Sequence, residues 1–289
     1  MDSRGVIVVG MHRSGTSAVS RGLQALSVHL GDNFFDLAPD NPTGYWEDKT
    51  LVALNQRVLE ELRLAWDDTE LIAYERFRHH RIRLVGLHAV RYLESTLMLR
   101  PTWGFKDPRT IRLMPFWSEV FRRCRAQDAY VLAIRHPLSV AGSLFARQQI
   151  PLVKAQRVWL AHYVPFLHEL RDKRVVVVDY DLLALSPHDQ LERIARGLAL
   201  PVDLQEQSLE IERFATEFLD RTLRHNVFPV DEFDAASEEG RLAHRAYLAL
   251  YDLATGRREG NANFWAQWSA IQERLPALAE RVPASCEVR

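Results

Sequence analysis

Gly5-Val6-Ile7-Val8-Val9-Gly10-Met11-His12-Arg13-Ser14-Gly15-Thr16-Ser17-Ala18-Val19-Ser20-Arg21-Gly22-Leu23 is the stretch whose reading decides the fold. An apolar, β-branched run bounded by glycine reads as a buried strand, and Ala18, Val19, Leu23 and Leu26 then recur at helical spacing. Between the two lies a turn of small residues whose backbone N–H groups have no ladder partner. Amides aimed by a helix N-terminus favour an anion, so the turn predicts a phosphate or sulfate site. A Walker A loop reads G-x-x-x-x-G-K-[ST], whereas Gly10 to Ser17 reads G-x-x-x-x-G-T-S. The lysine that reaches the outer phosphates of a nucleoside triphosphate is missing; Thr16 holds its slot, and a cation stands earlier, at Arg13. This is a phosphate loop built for another ligand.

Outward from the loop, strand-like and helix-like segments alternate, as a parallel sheet with crossover helices requires. Thr102 to Lys106, Ala129 to Ile134 and Arg174 to Val178 read as further strands. Helices are expected from about Thr50 to Leu64, Tyr74 to Leu97, Ile111 to Arg123, Ser139 to Gln148 and Val153 to Leu170. From Pro187 onward the chain reads as helical, with polar breaks at Phe228 to Ser237 and Gly256 to Asn263. The expectation is an α/β, P-loop-like three-layer fold with a central parallel sheet and a helical C-terminal part. No repeat, low-complexity tract or linker interrupts the 289 residues, so one domain spanning 1–289 is expected.

Bulk composition excludes several classes. With 47% hydrophobic residues and a formal net charge of -1 there is no global basic field for nucleic acid or membrane. Two cysteines, Cys124 and Cys286, give neither a disulfide framework nor metal-ligand spacing. No apolar run approaches a membrane span, and the first strand begins too early to leave room for a signal peptide. A soluble, cytoplasmic protein is expected.

Three further constellations carry chemistry. Gly104-Phe105-Lys106-Asp107-Pro108-Arg109 ends a strand with two cations and a carboxylate, at the sheet edge where α/β ligands bind; it also reads as a surface turn with a local ion pair. Val131 to Ile134 followed by Arg135-His136-Pro137, with Ser143 in the next helix, puts a planar guanidinium fork and a hydroxyl near one another at a strand end. In Gly44-Tyr45-Trp46-Glu47-Asp48, a carboxylate beside aromatics can act as a general base, and either carboxylate can equally cap the helix that follows. His12 and His136 are further candidate bases by position alone. Val175 to Asp179 reads as a Walker B strand or as an ordinary strand end. The basic run Arg76 to Arg83 reads as a solvated helix face or as a surface for an anionic acceptor. Trp46, Trp66 and Trp103 read as core residues or as stacking platforms.

Taken together, these motifs resemble the sulfotransferases that use 3′-phosphoadenosine-5′-phosphosulfate (PAPS), and specifically a bacterial branch similar to tyrosylprotein sulfotransferases. Gly10 to Ser17 matches the 5′-phosphosulfate loop of that family; Arg135, Pro137 and Ser143 match its 3′-phosphate motif. The Lys-Asp-Pro and Asn-Pro-Thr-Gly-Tyr-Trp-Glu elements are similar to their counterparts. The resemblance runs from Val6 to about Tyr180 and thins to Leu223-Arg224-His225. It implies that Arg13, Ser14, Gly15, Thr16 and Ser17 hold the 5′-phosphosulfate, that Arg135 and Ser143 hold the 3′-phosphate, and that Arg224 is a late cofactor contact. It implies Arg13 and Lys106 as catalytic cations, Glu47 as base, and transfer to a hydroxyl of a glycan, tyrosine peptide or small molecule without a metal. Residues of about 60–100 and 205–289 would then be helical acceptor-side or capping elements. A P-loop kinase acting on a small molecule and a non-catalytic nucleotide-binding protein are the alternative readings. The first needs the missing lysine; the second needs neither Lys106 nor Glu47 at the loop.

Overall fold

The computed structural model describes residues 3–36, 44–219 and 226–279. Four strands, β1 (Arg4–Val9), β2 (Thr102–Lys106), β3 (Gln127–Ile134) and β4 (Arg174–Asp179), pair in parallel in the order β2-β1-β3-β4. β1 and β4 are valine-rich and the inner residues of every strand are buried, because both faces of the sheet are covered. Side chains alternate between the two faces. Ile7, Val9, Phe105, Leu132 and Val177 enter one core, while Val6, Val8, Val131, Ala133 and Val178 enter the other.

Twelve α-helices are formed among the described residues. They are α1 (Thr16–Ala25), α2 (Lys49–Glu61), α3 (His80–Ser95), α4 (Met114–Cys124), α5 (Pro137–Gln148) and α6 (Leu152–Tyr163), then α7 (Tyr180–Leu185), α8 (Pro187–Gly197), α9 (Ser208–Arg213), α10 (Glu238–Ala254), α11 (Ala262–Gln272) and α12 (Leu275–Ala279). Helices α1, α8 and α9 contribute to the smaller core; α2 to α6, α10 and α11 contribute to the larger one, with Trp103, Trp117, Trp159 and Trp268 buried in it. Among the described residues no helix is long and apolar enough to cross a membrane.

The expected strands are all present. Three expected helices are shorter or broken. The first turn of the predicted Tyr74–Leu97 helix is a 3₁₀ turn, Tyr74–Arg78, set off by an extended His79 (ψ 138°). The predicted Val153–Leu170 helix stops at Tyr163 because Pro165 has no N–H to continue it, and a 3₁₀ turn, Leu167–Leu170, follows. The segment before α4 is likewise 3₁₀, Thr110–Leu113, with Pro115 in the first turn of the helix proper.

Because β1 lies between β2 and β3, the chain leaves β1 toward one edge and later returns past it toward the other. The carboxyl ends of β1 and β3 therefore flank a topological switch point, where open α/β sheets bind ligands. The loop after β1, Lys106 at the end of β2, Arg135 after β3 and Glu47 converge on that edge.

Candidate active site

Backbone geometry explains the small residues of the loop. Gly10 (φ 150°) brings the chain against β3, where a Cβ would lie 2.4 Å from the Ala133 carbonyl oxygen. Gly15 (φ 82°) precedes α1 and leaves no room either: a Cβ would lie 2.2 Å from the Tyr180 ring. Between them Arg13 adopts φ 68°, so the loop turns twice through the left-handed region. Helix α1 has no side-chain cap and no acidic residue in its first turn, which leaves its N-terminal donors to whatever the loop encloses.

A buried hydroxyl sets the loop's shape. Tyr163 Oη, on α6, accepts from Met11 N–H (3.0 Å), donates to the Ala133 carbonyl (2.8 Å) and lies 3.0 Å from Ser14 Oγ. Ser14 is fully buried, so its hydroxyl is turned into this cluster. No sequence signal distinguished Tyr163 from the other core tyrosines.

Lys106 is the last residue of β2. The alternation that sends Trp103 and Phe105 into the larger core turns Lys106 to the opposite face, toward α1. The side chain is 2% exposed, and its Nζ donates to Glu47 Oε1 (2.7 Å), the Tyr45 carbonyl (2.8 Å) and Ser17 Oγ (3.2 Å). All three ammonium protons are thus used. The two neighbouring carboxylates of the Tyr-Trp-Glu-Asp segment divide their roles. Asp48 caps α2, accepting from Thr50 and Leu51 N–H at 2.9 and 3.0 Å and from the Tyr92 hydroxyl at 2.7 Å. Glu47 goes to the loop.

The second cluster joins α5 to the loop. Arg13 Nε donates to Ser143 Oγ at 2.8 Å. Arg135 donates to the Arg13 carbonyl (3.4 Å) and the Asn226 carbonyl (3.1 Å), and its guanidinium sits 4.7 Å over the Tyr180 ring. Its buried Nε has no hydrogen-bond partner. Arg109 folds back on Asp107 (2.9 Å), whose other oxygen accepts from Asn55; burial raises the Asp107 pKa above the usual carboxylate range. Arg147 reaches the Tyr45 hydroxyl at 3.5 Å. Arg13, Lys106, Arg109, Arg135 and Arg147 against Glu47 and Asp107 make this sheet edge a cationic one, within a chain whose overall charge is close to zero.

The remaining candidates fall elsewhere. His136 caps α5, its Nδ1 accepting from Leu138 N–H, and packs on Tyr247 (4.9 Å) away from the loop; burial lowers its pKa to about 4. His12 packs on Trp66 (4.3 Å) with its pKa pushed well below the ordinary histidine value, by burial first and then by His162 and the nearby cations. Asp179 caps α7 and accepts from Tyr247 (3.1 Å), which makes it a structural strand end. Within the basic run, Phe77 and Ile82 are buried and Arg76 and Arg81 pair with Glu70 and Glu61. Arg224 and its neighbours Leu223 and His225 lie outside the described residues, as do Asn41, Pro42 and Thr43 of the Tyr-Trp-Glu element. Among the described residues no group of histidine, cysteine or carboxylate side chains is placed to hold a metal ion.

No curated protein matches the chain. The sulfotransferase domain from the Synechococcus PCC 7002 olefin synthase is similar in structure at 14% identity, covering 98% of this chain and 97% of its own, with a TM-score of 0.47. The sulfotransferase domain from the curacin biosynthetic pathway is similar at 16% identity over 74% of this chain and 78% of its own, with a TM-score of 0.44. A family model described as the sulfotransferase family matches residues 5–204, a span that takes in all four strands, the loop after β1 and both cation clusters, and the chain belongs to that family.

Proposed function

We propose that the protein transfers the sulfuryl group of PAPS to an acceptor hydroxyl. The observation that carries this reading is the contact of Lys106 with Glu47 at 2.7 Å and Ser17 at 3.2 Å, which sets a cation and a carboxylate at the mouth of an anion loop. The site fits a donor phosphorylated at both ends of its ribose. The 5′-phosphosulfate takes the first-turn amides of α1 and the hydroxyls of Thr16 and Ser17, in a loop whose path Gly10 and Gly15 permit by packing against Ala133 and Tyr180. The 3′-phosphate takes Arg135, whose unpartnered buried Nε seeks an acceptor, with Ser143 and Arg13 beside it. Ser14 contributes through the loop's shape, since its hydroxyl is held by Tyr163.

When bound, PAPS supplies an activated sulfuryl group on a phosphate leaving group. The acceptor oxygen forms a bond to sulfur as the bond to the bridging oxygen breaks, in a loose, in-line displacement comparable to phosphoryl transfer. Glu47 takes the acceptor's proton. Lys106 would offset charge on the sulfuryl oxygens and Arg13 charge on the bridging side, as fixed cations placed where charge develops. The acceptor is a hydroxyl of a glycan, a tyrosine peptide or a small molecule.

The test is ligand-dependent thermal stability. 3′-Phosphoadenosine-5′-phosphate should stabilise the protein more than AMP or ATP does, and Arg135→Ala should remove that preference. Equal stabilisation by all three nucleotides would overturn the reading. A labelled-sulfate transfer screen over tyrosine peptides and saccharides then identifies the acceptor.

A further inference from the structure

A groove of about 430 Å³ lies along the free edge of the sheet at β4, bordered by α8, α10 and α11, away from the anion loop. Its size falls in the range of small-molecule sites. Apolar side chains make its walls, among them Leu170, Val175, Val177, Leu250, Leu253 and Trp265. Its charged groups are four cations, of which Lys173 pairs with Asp128, and one carboxylate, Glu259. Arg193 is largely buried beside it and donates to Gln190 Oε1 (3.0 Å) and to the Val177 carbonyl, with no carboxylate partner among the described residues. Burial alone lowers its pKa, the mark of a desolvated charge that nothing nearby neutralises. Arg171 lies 5.9 Å from the centre of the Trp265 ring and Arg258 bonds Gln267; among the described residues neither pairs with a carboxylate.

An apolar trough with an uncompensated, half-desolvated guanidinium is a poor arrangement for a bare surface. Keeping a charged donor away from water is costly unless an anion meets it, and a guanidinium fork matches a carboxylate in both spacing and plane. A neutral apolar ligand would leave Arg193 as it is, and a small inorganic anion would leave the trough open. The ligand that satisfies both has a hydrocarbon chain and one anionic head. We infer that this groove binds a medium-chain acyl anion, its chain along the β4 edge and its carboxylate on Arg193, at a site separate from the sulfuryl-transfer edge.

Isothermal titration of the full chain with decanoate, below its micelle concentration, and with decan-1-ol tests this. One decanoate should bind per chain, with decan-1-ol weaker by about tenfold, the worth of a charge-assisted contact. Arg193→Gln should bring the two ligands to within about threefold of each other, and Leu253→Trp, which fills the trough, should weaken both by about tenfold or more. Saturating 3′-phosphoadenosine-5′-phosphate should leave decanoate affinity unchanged. Equal affinity for acid and alcohol in the unaltered protein overturns the inference whether or not the variants fold. So does competition between decanoate and the nucleotide, which would place the acyl anion in the loop. The result is independent of the sulfotransferase reading, which stands or falls on the nucleotide alone.

Discussion

The contact between Lys106 and Glu47 makes a quantitative prediction that separates stability from turnover. The Lys106 side chain is 2% exposed and that of Glu47 12%, so water screens the pair little. Lys106→Met takes away the ammonium and leaves the largely buried Glu47 carboxylate without it. Losing one partner of a buried pair costs about 3–5 kcal/mol, and Glu47, at the mouth of the site, belongs at the low end, ~3 kcal/mol. Glu47→Gln is milder. Lys106 keeps the Tyr45 carbonyl, Ser17 Oγ and the new amide oxygen, so the loss is about 1–2 kcal/mol. The double variant contains neither buried charge, and adding Glu47→Gln to Lys106→Met should restore about 1–2 kcal/mol. Urea unfolding followed by tryptophan fluorescence measures all three. Turnover should not follow stability: each single variant and the double should lose about a hundredfold or more in kcat, the scale of one preorganised electrostatic contact. Additive losses in the double variant would mean that the two side chains do not share their charge, and a double variant that still transfers sulfate would remove both from the mechanism.

Tyr163→Phe deletes the hydroxyl that holds Met11 N–H, Ser14 Oγ and the Ala133 carbonyl; about 1–3 kcal/mol of stability should go, and affinity for 3′-phosphoadenosine-5′-phosphate should fall with it, by calorimetric titration. Unchanged affinity would separate Tyr163 from the loop. Asp48→Asn keeps a capping oxygen at the start of α2 and should retain near-normal turnover, in contrast to Glu47→Gln; matched losses in a side-by-side assay would mean that Asp48 works in the chemistry. His136, buried with a pKa near 4, takes up its proton in the unfolded chain well before it does so in the fold. The unfolded state therefore binds more protons between about pH 6.5 and pH 4, and the stability that the neutral ring contributes above that window is lost as pH falls through it. His136→Asn, which preserves the cap on Leu138 N–H without titrating, should flatten the acid side of the stability profile by about 3 kcal/mol across that window. Parallel urea-derived profiles for the two proteins would refute it.

The sheet was legible because its signal is local. Each strand is a short, mostly apolar run closed by glycine, proline or a charge, and the parallel order follows from the helical segments between them. Helix ends were less legible: His79 and Pro165 break helices at a single residue that the apolar spacing runs straight through. The shape of the loop was legible in its glycines, where spacing and backbone geometry coincide, whereas the serine eight residues after Arg135 bonds Arg13 and not Arg135. The candidate site was illegible where a partner comes from far along the chain. Nothing in the residues around position 163 announces that a tyrosine there reaches back 152 residues to Met11 N–H.

Glu47 and Asp48 carry the clearest lesson about what a motif can settle. Two adjacent carboxylates before a helix are equivalent as sequence, and either suits a cap or a base. What separates them is the backbone: Trp46 takes a left-handed φ of 55° and Asp48 an extended conformation (ψ 124°). Asp48 is then aimed at the exposed amides of α2 and also receives the Tyr92 hydroxyl, which commits its side chain away from the loop. Glu47 is delivered to Lys106, a residue 59 positions away that reaches the same point only because strand alternation turned it from the larger core. The position of Glu47, the base of the proposed reaction, is specified here by two long-range geometric facts, the pleat of β2 and the cap of α2. An equivalent pair of carboxylates before a helix elsewhere would have to be assigned the same way, by asking which one the cap consumes.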